Sequence, residues 1–151
     1  MRFLGNIEAK MDAKCRVTIP APFRRILQAE GQQMLFLRKD LYQACVVIYP
    51  EQVWETVLTE LRARLNKWIP EEQDLYRQFM LEAEAVEMDA SGRILISKAM
   101  LQRVGIESDV RFLGVDDTLE LWQKSNLEQP RMSADVFCNR MQQLMGVDKQ
   151  Q

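Results

Sequence analysis

Met11-Asp12-Ala13-Lys14-Cys15-Arg16-Val17-Thr18-Ile19 and Met88-Asp89-Ala90-Ser91-Gly92-Arg93-Ile94-Leu95-Ile96 decide how this chain is read, because the second repeats the first. Asp12 and Asp89 lie 77 residues apart, as do Arg16 and Arg93, and five of the nine aligned positions are identical. Unrelated stretches match at roughly one position in fifteen to twenty, so a duplicated unit explains the pair and coincidence does not. The chain is a tandem pair of related modules, each built around an Asp-Ala-x-x-Arg turn.

The same order of elements surrounds both turns. Apolar residues alternate at Ile7, Ala9 and Met11, break at Asp12 to Cys15, and resume at Val17 and Ile19, the pattern of strand, tight turn and strand. Pro20 and Pro22 end the strand and open a helix over Phe23 to Ala29, and Gly31 stops it. Met34 to Leu37 and Cys45 to Tyr49 read as two further strands. In the second module Val86 and Met88 precede the turn and Ile94 to Ile96 follow it. Ser97 is placed to cap a helix over Lys98 to Val104, Gly105 to end it, and strands recur at Val110 to Leu113 and Leu119 to Trp122.

Between the modules, Val53, Trp54, Val57, Leu58, Leu61, Leu65 and Trp68 recur at helical spacing between Pro50 and Pro70, and Leu75, Phe79 and Met80 mark a second helix over Glu71 to Leu81. The tryptophans read as core or subunit contacts. A last helix, capped by Ser133, carries Val136, Phe137, Met141 and Leu144 on one side and reads as a packing arm or oligomer contact. The tail from Gly146 to Gln151 is polar and expected to fray. The expected organisation is a first module at 1–50, a helical insert at 51–81, a second module at 82–127, and a C-terminal helix and tail at 128–151. The fold class is α+β, mainly β.

The composition excludes several classes of function. At 151 residues, 47% hydrophobic and 28% charged, the chain has the make-up of a folded soluble protein. No stretch approaches the ~20 apolar residues that span a bilayer, and Met1 to Asn6 lacks the apolar run of a signal peptide, so a cytoplasmic location is expected. Cys15, Cys45 and Cys138 are odd in number and far apart, which fits reduced thiols. Histidine is absent, which removes Ser-His-Asp and Cys-His nucleophiles and H-E-x-x-H zinc sites. The six glycines form no phosphate-cradling motif. Glu82, Glu84 and Glu87 read as a solvated strand face. No enzyme, cofactor, metal or small-molecule substrate is expected.

Charge is laid out unevenly beneath a net value of −2. Residues 1 to 25 hold six basic side chains against two acidic ones, whereas residues 51 to 90 hold ten acidic against four basic. Phosphate attraction follows the local field of a patch more than the total charge. Arg24 and Arg25 belong to this basic segment, either as part of the patch or as the solvated face of a helix. The turn itself has two readings. Asp12 can fix an Asx-type turn and pair with Arg16, leaving a salt-bridged hairpin. Alternatively Arg16 and Lys14 stand at a tip where guanidinium donors reach phosphate oxygens or the O6/N7 edge of guanine. Duplication favours the second reading, because two such tips form a doubled cationic edge.

At these residues the sequence resembles the MraZ family of bacterial transcriptional regulators, built from two AbrB-like modules. The motifs are Gly5-Asn6, Asp12-Ala13-Lys14-x-Arg16-x-x-Ile19-Pro20 with Phe23-Arg24, Tyr49-Pro50 with Trp54, Asp89-x-x-Gly92-Arg93-Ile94-Leu95-Ile96, and Phe112-Leu113-Gly114 with Glu120-Leu121-Trp122. The resemblance implies two swapped-hairpin β modules folded together as a pseudo-dimeric barrel, and subunits closing into a ring-shaped homo-oligomer. It also implies repression through short direct repeats of double-stranded DNA, in the promoter ahead of the division and cell-wall gene cluster. Its D-x-x-x-R pattern falls on Asp12 and Arg16 and on Asp89 and Arg93, so the expected DNA-binding residues are Arg16, Lys14, Asp12, Arg93 and Asp89. Two positions depart from the family pattern: Cys15 stands where the first loop has glycine, and Ser97 where a proline would match Pro20. The reading from another class is an oligomeric AbrB-like scaffold or protein-binding module without specific DNA recognition.

Overall fold

The computed structural model describes residues 1–146. The alternation at the start of the chain forms β1 (Phe3–Lys10), with Phe3, Ile7 and Ala9 turned inward and Leu4, Asn6, Glu8 and Lys10 exposed. After the first turn come β2 (Arg16–Thr18), α1 (Ala21–Ala29), β3 (Met34–Lys39) and β4 (Cys45–Pro50). The insert is a pair of helices, α2 (Glu51–Arg64) and α3 (Pro70–Leu81). The repeat then gives β5 (Glu84–Glu87), β6 (Arg93–Leu95), α4 (Lys98–Val104), β7 (Asp109–Asp116) and β8 (Thr118–Gln123). The short α5 (Lys124–Leu127), which the sequence pattern does not announce, and α6 (Ala134–Gly146) complete the described chain. Local chemistry sets α4 at both ends: the Ser97 hydroxyl accepts from Met100 N–H at 3.1 Å, and Gly105 takes the left-handed φ of 67° that closes the helix.

Six strands make one antiparallel sheet in the order β1-β7-β8-β4-β3-β5, and β2 and β6 pair separately. The first strand of each repeat hydrogen-bonds to the third strand of the other: β1 to β7, with Phe3 opposite Asp116, and β5 to β3, with Met34 opposite Glu87. The sheet separates two layers. Leu35, Leu37, Val46, Ile48, Phe112, Leu119 and Leu121 face a core closed by Phe23 and Leu27 of α1, Met100, Leu101 and Val104 of α4, and Val17 and Ile94 of the ribbon. On the other face Phe36 stacks on Trp54 of α2, and Trp54 stacks on Phe79 of α3, with ring centroids 5.4 and 5.6 Å apart. Among the described residues no helix is long and apolar enough to cross a membrane.

Several expectations are corrected. The sheet is open and forms no closed barrel, because β1 and β5 are its two free edges and β2 pairs only with β6. Closure would need ladders from β1 to β2 and from β5 to β6, but Asp12 N–H to Arg16 O and Asp89 N–H to Arg93 O tie only the turns. Pro70 opens α3 and does not close α2, which stops at Arg64; proline at the first turn of a helix loses no intrahelical bond. Trp68 therefore sits in the connection, 82% exposed, while Trp54 is 3% exposed. The expected acidic face also differs. Glu82 accepts from buried Arg38 at 3.0 Å and Glu84 accepts from the Ser97 hydroxyl at 2.5 Å, so only Glu87 is left as a solvated group. The Ser133 cap is present, with its hydroxyl accepting from Val136 N–H at 3.2 Å. Of the expected frayed tail, only Gly146 falls within the described residues, where it ends α6.

Candidate functional site

Each Asp-x-x-x-Arg turn is organised by its aspartate. In the first, Asp12 Oδ1 accepts from the backbone N–H of Lys14 and of Arg16, both at 2.9 Å, and Oδ2 accepts from Arg16 Nε at 3.0 Å. In the second, Asp89 Oδ1 accepts from Ser91 and Arg93 N–H at 2.9 Å, and Oδ2 from Arg93 Nε at 3.0 Å. Both carboxyls are held below the ordinary aspartate value, chiefly by the backbone N–H of the arginine four residues on. The fourth residue of each turn, the one before the arginine, takes a positive φ, 63° at Cys15 and 80° at Gly92. Glycine adopts that conformation freely, whereas cysteine bears the steric cost of its Cβ.

The two turns meet across the ribbon. β2 and β6 pair antiparallel with Arg16 opposite Leu95, Val17 opposite Ile94 and Thr18 opposite Arg93. The pairing extends past both ends, since Ile19 N–H donates to Gly92 O at 2.8 Å and Ile96 N–H donates to Cys15 O at 3.0 Å. Val17 and Ile94 point into the core, each 1% exposed, so strand alternation turns Arg16, Thr18, Arg93 and Leu95 to the opposite face. Both arginines keep one edge in the ion pair through Nε. Their Nη nitrogens have no hydrogen-bond partner among the described residues. The salt-bridged hairpin and the cationic tip are thus compatible: the aspartate consumes one donor, fixes the plane of the guanidinium, and leaves its outer fork free.

All five expected residues lie at this one edge: Asp12, Lys14 and Arg16 in the first turn, Asp89 and Arg93 in the second. Lys14 is exposed and makes no ion pair among the described residues. Arg24, which the sequence left between two readings, crosses from α1 to the second turn, where its Nη1 donates to Ser91 O at 3.3 Å. Arg25 stays exposed on the helix. Nothing local in sequence joins Arg24 to Ser91, 67 residues away. The one hint was that Arg24 aligns with apolar Leu101 at the 77-residue spacing. Among the described residues no group of three or more His, Cys, Asp or Glu side chains could hold a metal ion.

A family model described as "MraZ protein, putative antitoxin-like" matches residues 2–77 and again 79–134, so its two matches start 77 residues apart, the spacing of the turns. Similar curated relatives carry the name "Transcriptional regulator MraZ". That of Bacteroides fragilis is 50% identical over 149 residues, covering 99% of this chain and 94% of the relative. That of Bacteroides thetaiotaomicron is 48% identical over 151 residues, covering 100% of this chain and 97% of the relative. That of Phocaeicola vulgatus is 47% identical over 148 residues, covering 98% and 96% respectively.

Proposed function

The chain belongs to the MraZ family of transcriptional regulators, and we propose that it acts as a repressor that reads DNA with the outward face of the β2–β6 ribbon. The observation that carries this reading is the pair of outward guanidinium forks, Arg16 and Arg93, each anchored through Nε by its own aspartate. A two-stranded ribbon fits the B-DNA major groove, and an arginine fork matches guanine O6 and N7. Asp12 and Asp89 act as positioning residues, and Lys14 supplies a phosphate contact.

The exchange of first strands between repeats supports a swapped-hairpin pseudo-dimer made of modules 1–50 and 82–127. In this reading a ring-shaped homo-oligomer sets several ribbons on short direct repeats, and affinity accumulates by multivalency where one contact alone is weak. The regulated promoter is the chain's own, ahead of the division and cell-wall gene cluster, and the protein works in the cytoplasm at the nucleoid.

Titrating the purified chain onto DNA from upstream of its own gene, and onto the same DNA with its repeats scrambled, tests the proposal. Preference for the intact repeats is the expected result. Equal or absent binding would leave the second reading, an oligomeric scaffold, which the exposed stripe Val136, Phe137, Met141 and Leu144 on α6 favours.

A further inference from the structure

We infer that Arg24 is a further DNA-contacting residue: from α1 it supplies the second turn with the phosphate-binding cation that Lys14 supplies to the first. The inference rests on the DNA-binding reading above. It begins from an asymmetry between turns whose backbones match. Lys14 aligns with uncharged Ser91, and Cys15 with Gly92. Taken alone, the first turn has two cations and one carboxylate, and the second only Arg93 and Asp89.

Arg24 removes that difference in space. Its Nη1 donates to Ser91 O at 3.3 Å, and its side chain lies directly over Gly92. A Cβ built on Gly92 would stand 2.2 Å from Arg24 Cδ and 2.6 Å from Nη1, so the side chain occupies the space that any other residue at 92 would fill. Gly92 is accordingly buried, while Cys15, with a side chain of its own, is only half-buried. The first turn receives no counterpart from α4, because the residue aligned with Arg24 is Leu101, which is 7% exposed in the core. Each turn then presents two cations and one carboxylate on the same edge of the molecule.

Arg24 forms no ion pair among the described residues, and its one hydrogen bond there goes to a neutral carbonyl. Its charge is half-exposed, unpaired among the described residues, and set against the turn that carries Arg93, the arrangement expected of a group that meets a polyanion.

The test is the affinity of the full chain for its upstream DNA across a salt series, read beside its melting temperature. Arg24→Gln keeps a donor for Ser91 O and removes the charge. It should weaken binding about tenfold near physiological salt and lower the log–log salt slope by about one per subunit, with melting unchanged. Adding Ser91→Lys to Arg24→Gln should restore the slope by rebuilding the first turn's arrangement. Gly92→Cys, a residue already accommodated at positive φ in the first turn, should push Arg24 aside and weaken binding as Arg24→Gln does, with no further loss when the two are combined. If the unaltered chain binds while Arg24→Gln leaves affinity and slope unchanged, Arg24 is only a cover for the glycine and the inference falls alone. If the unaltered chain does not bind DNA, the inference falls together with the reading beneath it.

Discussion

Arg16 and Arg93 stand on one diagonal of the β2–β6 ribbon, because Arg93 pairs with Thr18 two residues beyond Arg16. Diagonal neighbours on one face of an antiparallel pair are about 7–8 Å apart, which under the proposed DNA reading matches about two base-pair steps of roughly 3.4 Å. Arg16→Ala and Arg93→Ala should each cost about 1–3 kcal/mol of operator affinity per subunit and leave melting nearly unchanged. From sequence alone Arg93 looks the weaker partner, since its turn lacks a lysine. With Arg24 beside it the two losses should be comparable, and affinities for the intact operator measure this.

Lys14 carries charge without a fixed geometry, so under the proposed DNA reading it is expected to add affinity and little specificity. Lys14→Ala should weaken binding to operator and to scrambled DNA alike and reduce the salt slope by about one per subunit. Salt titrations on both DNAs read the two effects separately.

Asp12 and Asp89 give the protein an acid-side dependence. Their carboxyls are lowered in the folded state from the ordinary value of 3.8. Their contribution to stability is therefore complete above that value and is lost as pH falls through the lowered ones. Asp12→Asn combined with Asp89→Asn should flatten the acid limb of a melting-temperature profile and lower DNA affinity at neutral pH, since the guanidiniums lose their anchors.

Cys15 holds a left-handed conformation that its Cβ disfavours. Cys15→Gly should relieve that strain, offset by the freer unfolded chain and by lost packing of the half-buried side chain, for a net gain of up to about 1 kcal/mol. Cys15→Val should destabilise, because a β-branched residue tolerates positive φ least. Thermal unfolding of both variants fixes the order.

Glu82 neutralises Arg38, which is 5% exposed and also donates to Lys39 O at 2.9 Å. Glu82→Ala should cost about 2 kcal/mol, less than a fully buried pair would, because the carboxylate keeps 31% of its exposure. Denaturant unfolding measures the loss, and DNA affinity should not change, since the pair joins α3 to β3 on the sheet face opposite the ribbon.

What the sequence determined by itself was everything whose cause lies within a few residues. The Asp12 and Asp89 turns close between a carboxylate and amides two and four positions on, and Ser97 and Gly105 bound α4 through contacts inside one helical turn. Alternation likewise told which side of β1 is buried, and the 77-residue repeat told that the pattern occurs twice. Alternation names a strand's face and says nothing of its partner. That β1 pairs with β7, that β5 pairs with β3, and that the sheet stays open were decided only when the two repeats packed together. Arg38 shows the same limit: in a strand pattern an arginine reads as solvent-facing, and only the docking of Phe79 and Glu82 from the insert buries it. Arg24 and Ser91 are 67 residues apart, and their contact exists because the core holds α1 against the second turn, a juxtaposition for which neither segment carries a local signal.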